Sequence, residues 1–173
     1  MDVLILETKR LILRQWTIDD KENLKKFLGD ERVMYAYNGA FSDQKINEWL
    51  LWNLNLYDNK GYGLWAIETK EDGQVIGECG LTDQVVDGNT YLEIGYHLIF
   101  DFWHHGYITE AVEEVKKFAF EEWEAEEIVA IIRDTNIASM NVAIRNGMQI
   151  KKRFIKKSNE IEMPHYLFSI KNK

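Results

Sequence analysis

The sequence predicts a mixed α/β (α+β) fold, built on one mostly antiparallel sheet with a single parallel strand–helix–strand step. Three observations carry this. Extended stretches over 63–69, 74–83 and 90–99 are separated by Glu71-Asp72-Gly73 and Asp87-Gly88-Asn89, turn-forming triplets that make the stretches an antiparallel meander. The third stretch is followed by Ala111, Val115, Phe118 and Ala119 at helical spacing over 109–123, then by an apolar run over 128–133. Strand, helix, strand in that order is a right-handed crossover that makes the two strands parallel. Finally, a short helix over 138–146, stopped by Gly147, leads to strands over 149–157 and 163–170 that pair as a hairpin around Ser158-Asn159. A cleft opens where the two parallel strands part, and the loop entering the crossover helix points at it.

Upstream, Leu4, Leu6, Leu11 and Leu13 alternate with polar residues on either side of Thr8-Lys9, which predicts an extended first strand with an irregularity near Lys9. Thr17 reads as the N-cap of a helix running to Leu28, with Asp19 and Asp20 in its first turn and Leu24, Phe27 and Leu28 as its apolar stripe. Ser42 repeats the signal. In the helix it opens, Ile46, Trp49, Leu50 and Leu54 face the core, while Leu51, Trp52 and Leu56 widen the apolar surface enough to line a pocket or a homodimer contact. Trp49, Trp52, Tyr57 and Tyr62 are core residues first. With no repeat and no linker, the chain reads as one domain over 1–173.

Composition narrows the classes of function. Apolar residues make up 46% and charged residues 29%, a globular balance. The 29 acidic and 21 basic side chains leave a formal charge of -8, which argues against nucleic-acid binding and tilts the partner toward a cation. Cys79 stands alone in a strand-like run, so no internal disulfide is expected and a reducing, cytoplasmic setting is. Residues 1–7 have neither a basic leader nor a long apolar core, so neither a signal peptide nor a membrane span is expected there. The acidic run Glu121, Glu122, Glu124, Glu126 and Glu127 reads as a solvated face. His104-His105 lacks the spacing of a zinc site, and no metal is expected.

Two segments carry the chemistry. Asp101-Phe102-Trp103-His104-His105-Gly106-Tyr107-Ile108-Thr109-Glu110-Ala111 places a glycine just before a helix, where consecutive N–H groups and the helix dipole make an anion site. The second is Asp134-Thr135-Asn136-Ile137-Ala138-Ser139-Met140-Asn141-Val142-Ala143-Ile144-Arg145-Asn146-Gly147-Met148. Together they resemble the GNAT superfamily of N-acetyltransferases, in particular its RimJ/RimL-like branch of ribosomal-protein Nα-acetyltransferases. The first looks like that branch's aromatic-Gly-x-Gly-Tyr-Ala-Thr-Glu-Ala signature, preceded by Glu93-Ile94-Gly95-Tyr96, and the second like its Asn-x-x-Ser and Val-Ala-x-Arg-Asn-Gly run. Thr8-Lys9-Arg10-Leu11-Ile12-Leu13-Arg14 resembles the branch's opening. His104, Ile108, Phe100 and Met148 depart from the pattern, His104 standing at its first glycine, and Ala143 stands where relatives outside the branch carry a tyrosine acid.

The resemblance implies acetyl-CoA as cofactor. Its diphosphate would lie on the loop Trp103, His104, His105, Gly106, Tyr107, Ile108 and Thr109, its pantetheine arm would pair with backbone groups at His97 and Leu98 like an added strand, and Asn136 and Ser139 would contact the arm from the other side. It also implies an acetyl transfer to a primary amine, on a protein N-terminus or a small cationic molecule, by direct attack in a ternary complex. Glu93 is the first choice for the proton acceptor, its alternative being a solvated or cross-strand-paired carboxylate. Ser139 either hydrogen-bonds the leaving sulfur or acts as an N-cap-like hydroxyl. A noncatalytic acyl-CoA sensor or interaction module on the same fold is the competing reading.

Overall fold

The computed structural model describes residues 2–158 and 161–173. The first half of the chain forms β1 (Leu4–Glu7), β2 (Leu11–Gln15), α1 (Lys21–Leu28), α2 (Glu31–Met34), α3 (Asp43–Lys60), β3 (Leu64–Thr69), β4 (Val75–Val86) and β5 (Asn89–Leu98). The second half forms α4 (Tyr107–Glu121), β6 (Glu127–Arg133), α5 (Ile137–Arg145), β7 (Gln149–Ser158) and β8 (Ile161–Lys171). The strands make one sheet in the order β1-β2-β3-β4-β5-β6-β8-β7, parallel between β5 and β6 and antiparallel elsewhere. The predicted meander, crossover and final hairpin are therefore present. Asn159, expected in the last turn, lies outside the described residues.

Strand alternation sorts the two faces. Trp65 and Cys79 are partners across β3 and β4, and the Trp65 ring meets Phe118 of α4 edge-on at 5.6 Å, so this face lies under α4. Glu78 and His97 are partners across β4 and β5; Glu78 accepts from Trp49 of α3 and His97 stacks with Phe27 of α1, so the opposite face lies under α1 and α3. Cys79 is buried in the core, as its setting predicts, and burial pushes its thiol well above the usual range.

Four sequence expectations need correction. The single first strand is a hairpin: Leu6 faces Leu13, and the chain reverses at 8–10, where Thr8 N–H donates to the Leu11 carbonyl at 2.9 Å. The alternation is the same for one long strand and for two paired ones, so periodicity alone could not separate them. Thr17 is an N-cap, as expected, but of a 3₁₀ turn at Ile18–Asp20 that leads into α1. Asp20 closes that turn on the Thr17 N–H at 2.8 Å and takes two bonds from Arg14 at 2.9 and 3.0 Å. Burial works against its charge, yet these donors hold its carboxyl at about 2. α4 starts two residues before the expected Thr109, with Gly106 as its N-cap. The stretch 29–41, assigned no element from sequence, forms α2 and a 3₁₀ turn at Tyr35–Tyr37. Among the described residues no helix is long and apolar enough to cross a membrane.

The C-terminal end of β5 is fixed by a close approach at Gly77. This residue faces Leu98, and a Cβ built on it would lie 2.2 Å from the His97 carbonyl oxygen, a backbone atom with no rotamer to escape into. Gly77→Ala should therefore destabilise the protein by about 1–3 kcal/mol, read as a lowered denaturant midpoint with an unchanged slope.

Candidate active site

β5 and β6 are in register at one pair, Glu93 and Val129. Further along β6, the Ile131 N–H donates to the Glu93 carboxylate at 3.1 Å. A side chain has taken a place the partner backbone would occupy in a regular ladder, and beyond it the strands part. The gap faces α5, where the Tyr96 hydroxyl donates to the Ser139 carbonyl at 2.8 Å.

On one side of that tie lies a cleft of about 180 Å³, whose lining includes His97, Leu98, Trp103, His104, Gly106, Tyr107, Ile108, Thr109, Asn136 and Ser139. Sequence had named these ten; Val33, Tyr37, Tyr96, Phe102, Ala138, Asn141, Val142 and Arg145 line the cleft as well. His105 alone among the named loop residues does not line the cleft: its ring folds back, with Nδ1 2.7 Å from the Trp103 carbonyl. The loop turns through two left-handed residues, His104 at φ 67° and Gly106 at φ 77°. A histidine thus takes a conformation that glycine adopts without steric cost. The first N–H groups of α4 have no intrahelical acceptor and point out of its N-terminus. Arg145, which sequence did not single out, lines the same cleft and makes no ion pair among the described residues. Exposed N–H groups, a positive dipole end and a guanidinium fit a diphosphate.

The loop is held from far away in sequence. Arg10, in the turn between β1 and β2, donates to the His105 carbonyl at 3.0 Å, pairs with Glu110 at 2.8 Å and lies over the Tyr107 ring at 4.3 Å. Thr8 also donates to Glu110. In α5 it is Asn136 that caps the helix, accepting from the Ser139 N–H at 3.3 Å and from the Tyr35 hydroxyl at 3.1 Å. The N-cap reading of Ser139 is thereby corrected, and the Ser139 hydroxyl has no hydrogen-bond partner among the described residues.

On the other side lies a second cavity of about 300 Å³, walled by the aromatic rings of Tyr37, Phe41, Trp49 and Trp52, with Glu93 on its floor. Burial pushes the Glu93 carboxyl up to about 7, against the bond from Ile131 and the charge of Lys156, which pull it down. The other charged side chains lining this cavity are Lys45, Arg133 and Lys156. The acidic excess of the chain is therefore not concentrated here. Leu51 and Leu56 do not line it, and Tyr57 and Tyr62 serve structure, bonding to Leu64 and Asp83. The two cavities share Tyr37, Tyr96, His97, Asn136 and Ser139. Tyr37, Phe41 and Arg133 carried no sequence signal, because the segments that bring them here are far apart in the chain. No group of three or more His, Cys, Asp or Glu that could hold a metal ion occurs among the described residues.

A cleft that fits a diphosphate, joined at a splayed parallel pair to an aromatic cavity with a carboxylate, has a counterpart in known proteins: the family model for the acetyltransferase (GNAT) domain matches residues 10–149. The chain belongs to the GNAT acetyltransferase family. It is an acyltransferase, similar to the uncharacterized Bacillus subtilis protein YkkB (35% identical, covering 85% of this chain and 86% of that one). It is also similar to the uncharacterized N-acetyltransferase YoaA of the same organism (29% identical, 84% and 82%). Its fold matches the crystal structure of RimL, a ribosomal alpha-N-protein acetyltransferase, with a TM-score of 0.83 at 16% identity over 99% of this chain and 96% of that one.

The loop geometry of this GNAT protein yields a test. Gly106→Trp should abolish the rise in melting temperature produced by CoA while leaving the far-ultraviolet circular dichroism spectrum intact, because the backbone must be approached closely there. Retained stabilisation by CoA would remove the diphosphate from this loop.

Proposed function

We propose that this protein transfers the acetyl group of acetyl-CoA directly to a primary amine, on a protein N-terminus or a small molecule, with Glu93 as the proton acceptor. The observation that carries the reading is the position of Glu93: a half-buried carboxylate with a pKa raised to about 7, on the floor of an aromatic cavity that meets the cofactor cleft. A carboxylate poised near neutral pH is well matched to stripping a proton from an ammonium. The diphosphate would rest on His104 to Thr109, and the pantetheine arm would run along the edge of β5 that β6 has vacated, hydrogen-bonding backbone groups at His97 and Leu98. Ser139 offers its hydroxyl to the leaving sulfur from the junction of the two cavities. The cofactor supplies an activated acyl group; the protein holds the thioester and amine at reacting distance and manages protons.

The cavity also bears on the acceptor. Ring faces of Phe41, Trp49 and Trp52 favour an apolar or peptide-like body, and Lys45, Arg133 and Lys156 set against the single acid Glu93 disfavour a molecule with several positive charges. An acceptor whose only positive charge is the reacting amine suits this lining better than a polyamine.

Thiol release from acetyl-CoA with a panel of peptides and small amines tests the transfer; cofactor binding without turnover on any amine would favour a sensor. Glu93→Gln should lower kcat about 100-fold with little change in acetyl-CoA binding and should remove the rise in rate through pH 7. Its folded pKa is raised, so the group favours the native state below the ordinary carboxylate range and that contribution is lost as pH rises through about 7. The same variant should therefore flatten the stability profile between about pH 4.5 and 7. Trp52→Ala should raise the acceptor KM several-fold while the mass in solution stays constant; a change of oligomeric state with unchanged KM would assign Trp52 to a subunit contact instead.

A further inference from the structure

The His97 side chain has no assigned role in this reading, yet its surroundings are specific. Its Nδ1 lies 2.9 Å from Oε2 of Glu78, a carboxylate with no solvent exposure. Glu78 also accepts from the indoles of Trp16 at 3.1 Å and Trp49 at 3.2 Å. His97 itself is 8% exposed, and its Nε2 has no hydrogen-bond partner among the described residues. The ring is wedged between Phe27, Tyr37 and Trp49, with centroids 6.1, 5.2 and 6.0 Å away, and it borders both the cofactor cleft and the acceptor cavity.

A purely structural histidine at this burial would be expected to satisfy both nitrogens. Here Nδ1 lies against a buried carboxylate that can accept from it, and Nε2, itself buried, is left without a partner beside the junction, the arrangement in which a carboxylate fixes the tautomer of a proton-transferring imidazole. Glu93, His97 and the intervening Gly95 alternate onto one face of β5, and Gly95 carries no side chain, so the strand is bare between the two groups. Four residues of strand separate Glu93 from His97 by about 13 Å, and Glu93 lines the acceptor cavity alone.

We propose that His97 is a second proton-transferring residue, its Nε2 taking a proton from the attacking nitrogen and delivering it to the departing sulfur, with Glu78 as its positioning residue. The proposal depends on the acetyl transfer proposed above. The proton balance calls for two such groups. An ammonium loses one proton before it attacks, and Glu93 takes that one. The nitrogen then bonds to the thioester carbon, the carbonyl becomes an oxyanion, and the nitrogen is again positively charged. His97 accepts the second proton. The oxyanion re-forms the carbonyl as the carbon–sulfur bond breaks, and the imidazolium protonates the thiolate. The products are an amide, the free thiol and one proton released through Glu93. The other titratable groups near His97 are Glu78 on β4, Glu93 and Tyr96 on β5 and Tyr37 before α3; from α1 and α3 its ring meets Phe27 and Trp49.

His97→Asn keeps a side-chain donor toward Glu78 and removes the basic Nε2. With acetyl-CoA and a panel comprising an alkylamine, a diamine and a peptide with a free N-terminus, this variant should lose about 100-fold in kcat. Its acceptor KM and its stabilisation by acetyl-CoA should stay within about threefold of wild type, and one ionisation should disappear from the pH–rate profile. Added imidazole should partly restore turnover to His97→Ala. In the substrate-free protein, ¹⁵N NMR should find Nδ1 protonated and Nε2 unprotonated at neutral pH. The proposal fails if His97→Asn keeps its kcat and pH profile, if the tautomer is reversed, or if a loss of rate tracks a loss of folding and imidazole restores nothing. Absence of thiol release by the wild type on every amine overturns the acetyl-transfer reading and this one together, whereas wild-type turnover with any of those variant results overturns this one alone.

Discussion

The active centre depends on one backbone group that the sheet leaves unpaired by its neighbouring strand. At Ile131 the β6 N–H is satisfied by the Glu93 carboxylate, so the strands can separate without stranding a buried donor, a loss worth about 1–3 kcal/mol. The same bond holds the carboxylate against the floor of the aromatic cavity. Opening the sheet and placing an ionisable group at the opening are thus a single structural event, and the β5 backbone beyond it becomes an edge able to pair with an extended ligand.

Beside that opening lies a fully buried acid. Glu78 would be costly at its depth without partners, and the structure surrounds it with two indole donors and an imidazole. Trp16 follows β2, Trp49 belongs to α3 and His97 to β5, so one carboxylate joins the helical layer to the sheet under the junction of the two cavities. Networks of this kind specify geometry more than they add stability. Here the geometry specified is the orientation of the ring that separates the two cavities.

The loop entering α4 is secured by different means. Arg10 and Thr8 reach it from the first hairpin and converge on Glu110 in the first turn of α4. This clamp accounts for the sharp reversal at 8–10, and it keeps His104 and Gly106 in left-handed conformations next to the helix N-terminus. A histidine can stand there because it tolerates positive φ better than most side chains and the clamp fixes the loop around it.

By itself, the sequence determined what is local or periodic. Turn triplets set the meander, the strand–helix–strand order set the one parallel step, and the Gly106 and Asn136–Ser139 motifs marked residues that the structure brings together along one cleft. It could not distinguish one extended strand from a hairpin at 4–15, since both have a period of two, nor find the short elements at 29–41, which lack a full amphipathic period. Of the second cavity's lining, Glu93, Trp49, Trp52, His97, Asn136 and Ser139 had been named from sequence. Tyr37, Phe41, Arg133, Lys156 and the unpartnered nitrogen of His97 meet there because β5 and β6 diverge and α3 packs across the gap. Those contacts join residues up to about a hundred positions apart, and their energies come from burial and hydrogen bonds that exist only once the sheet is complete.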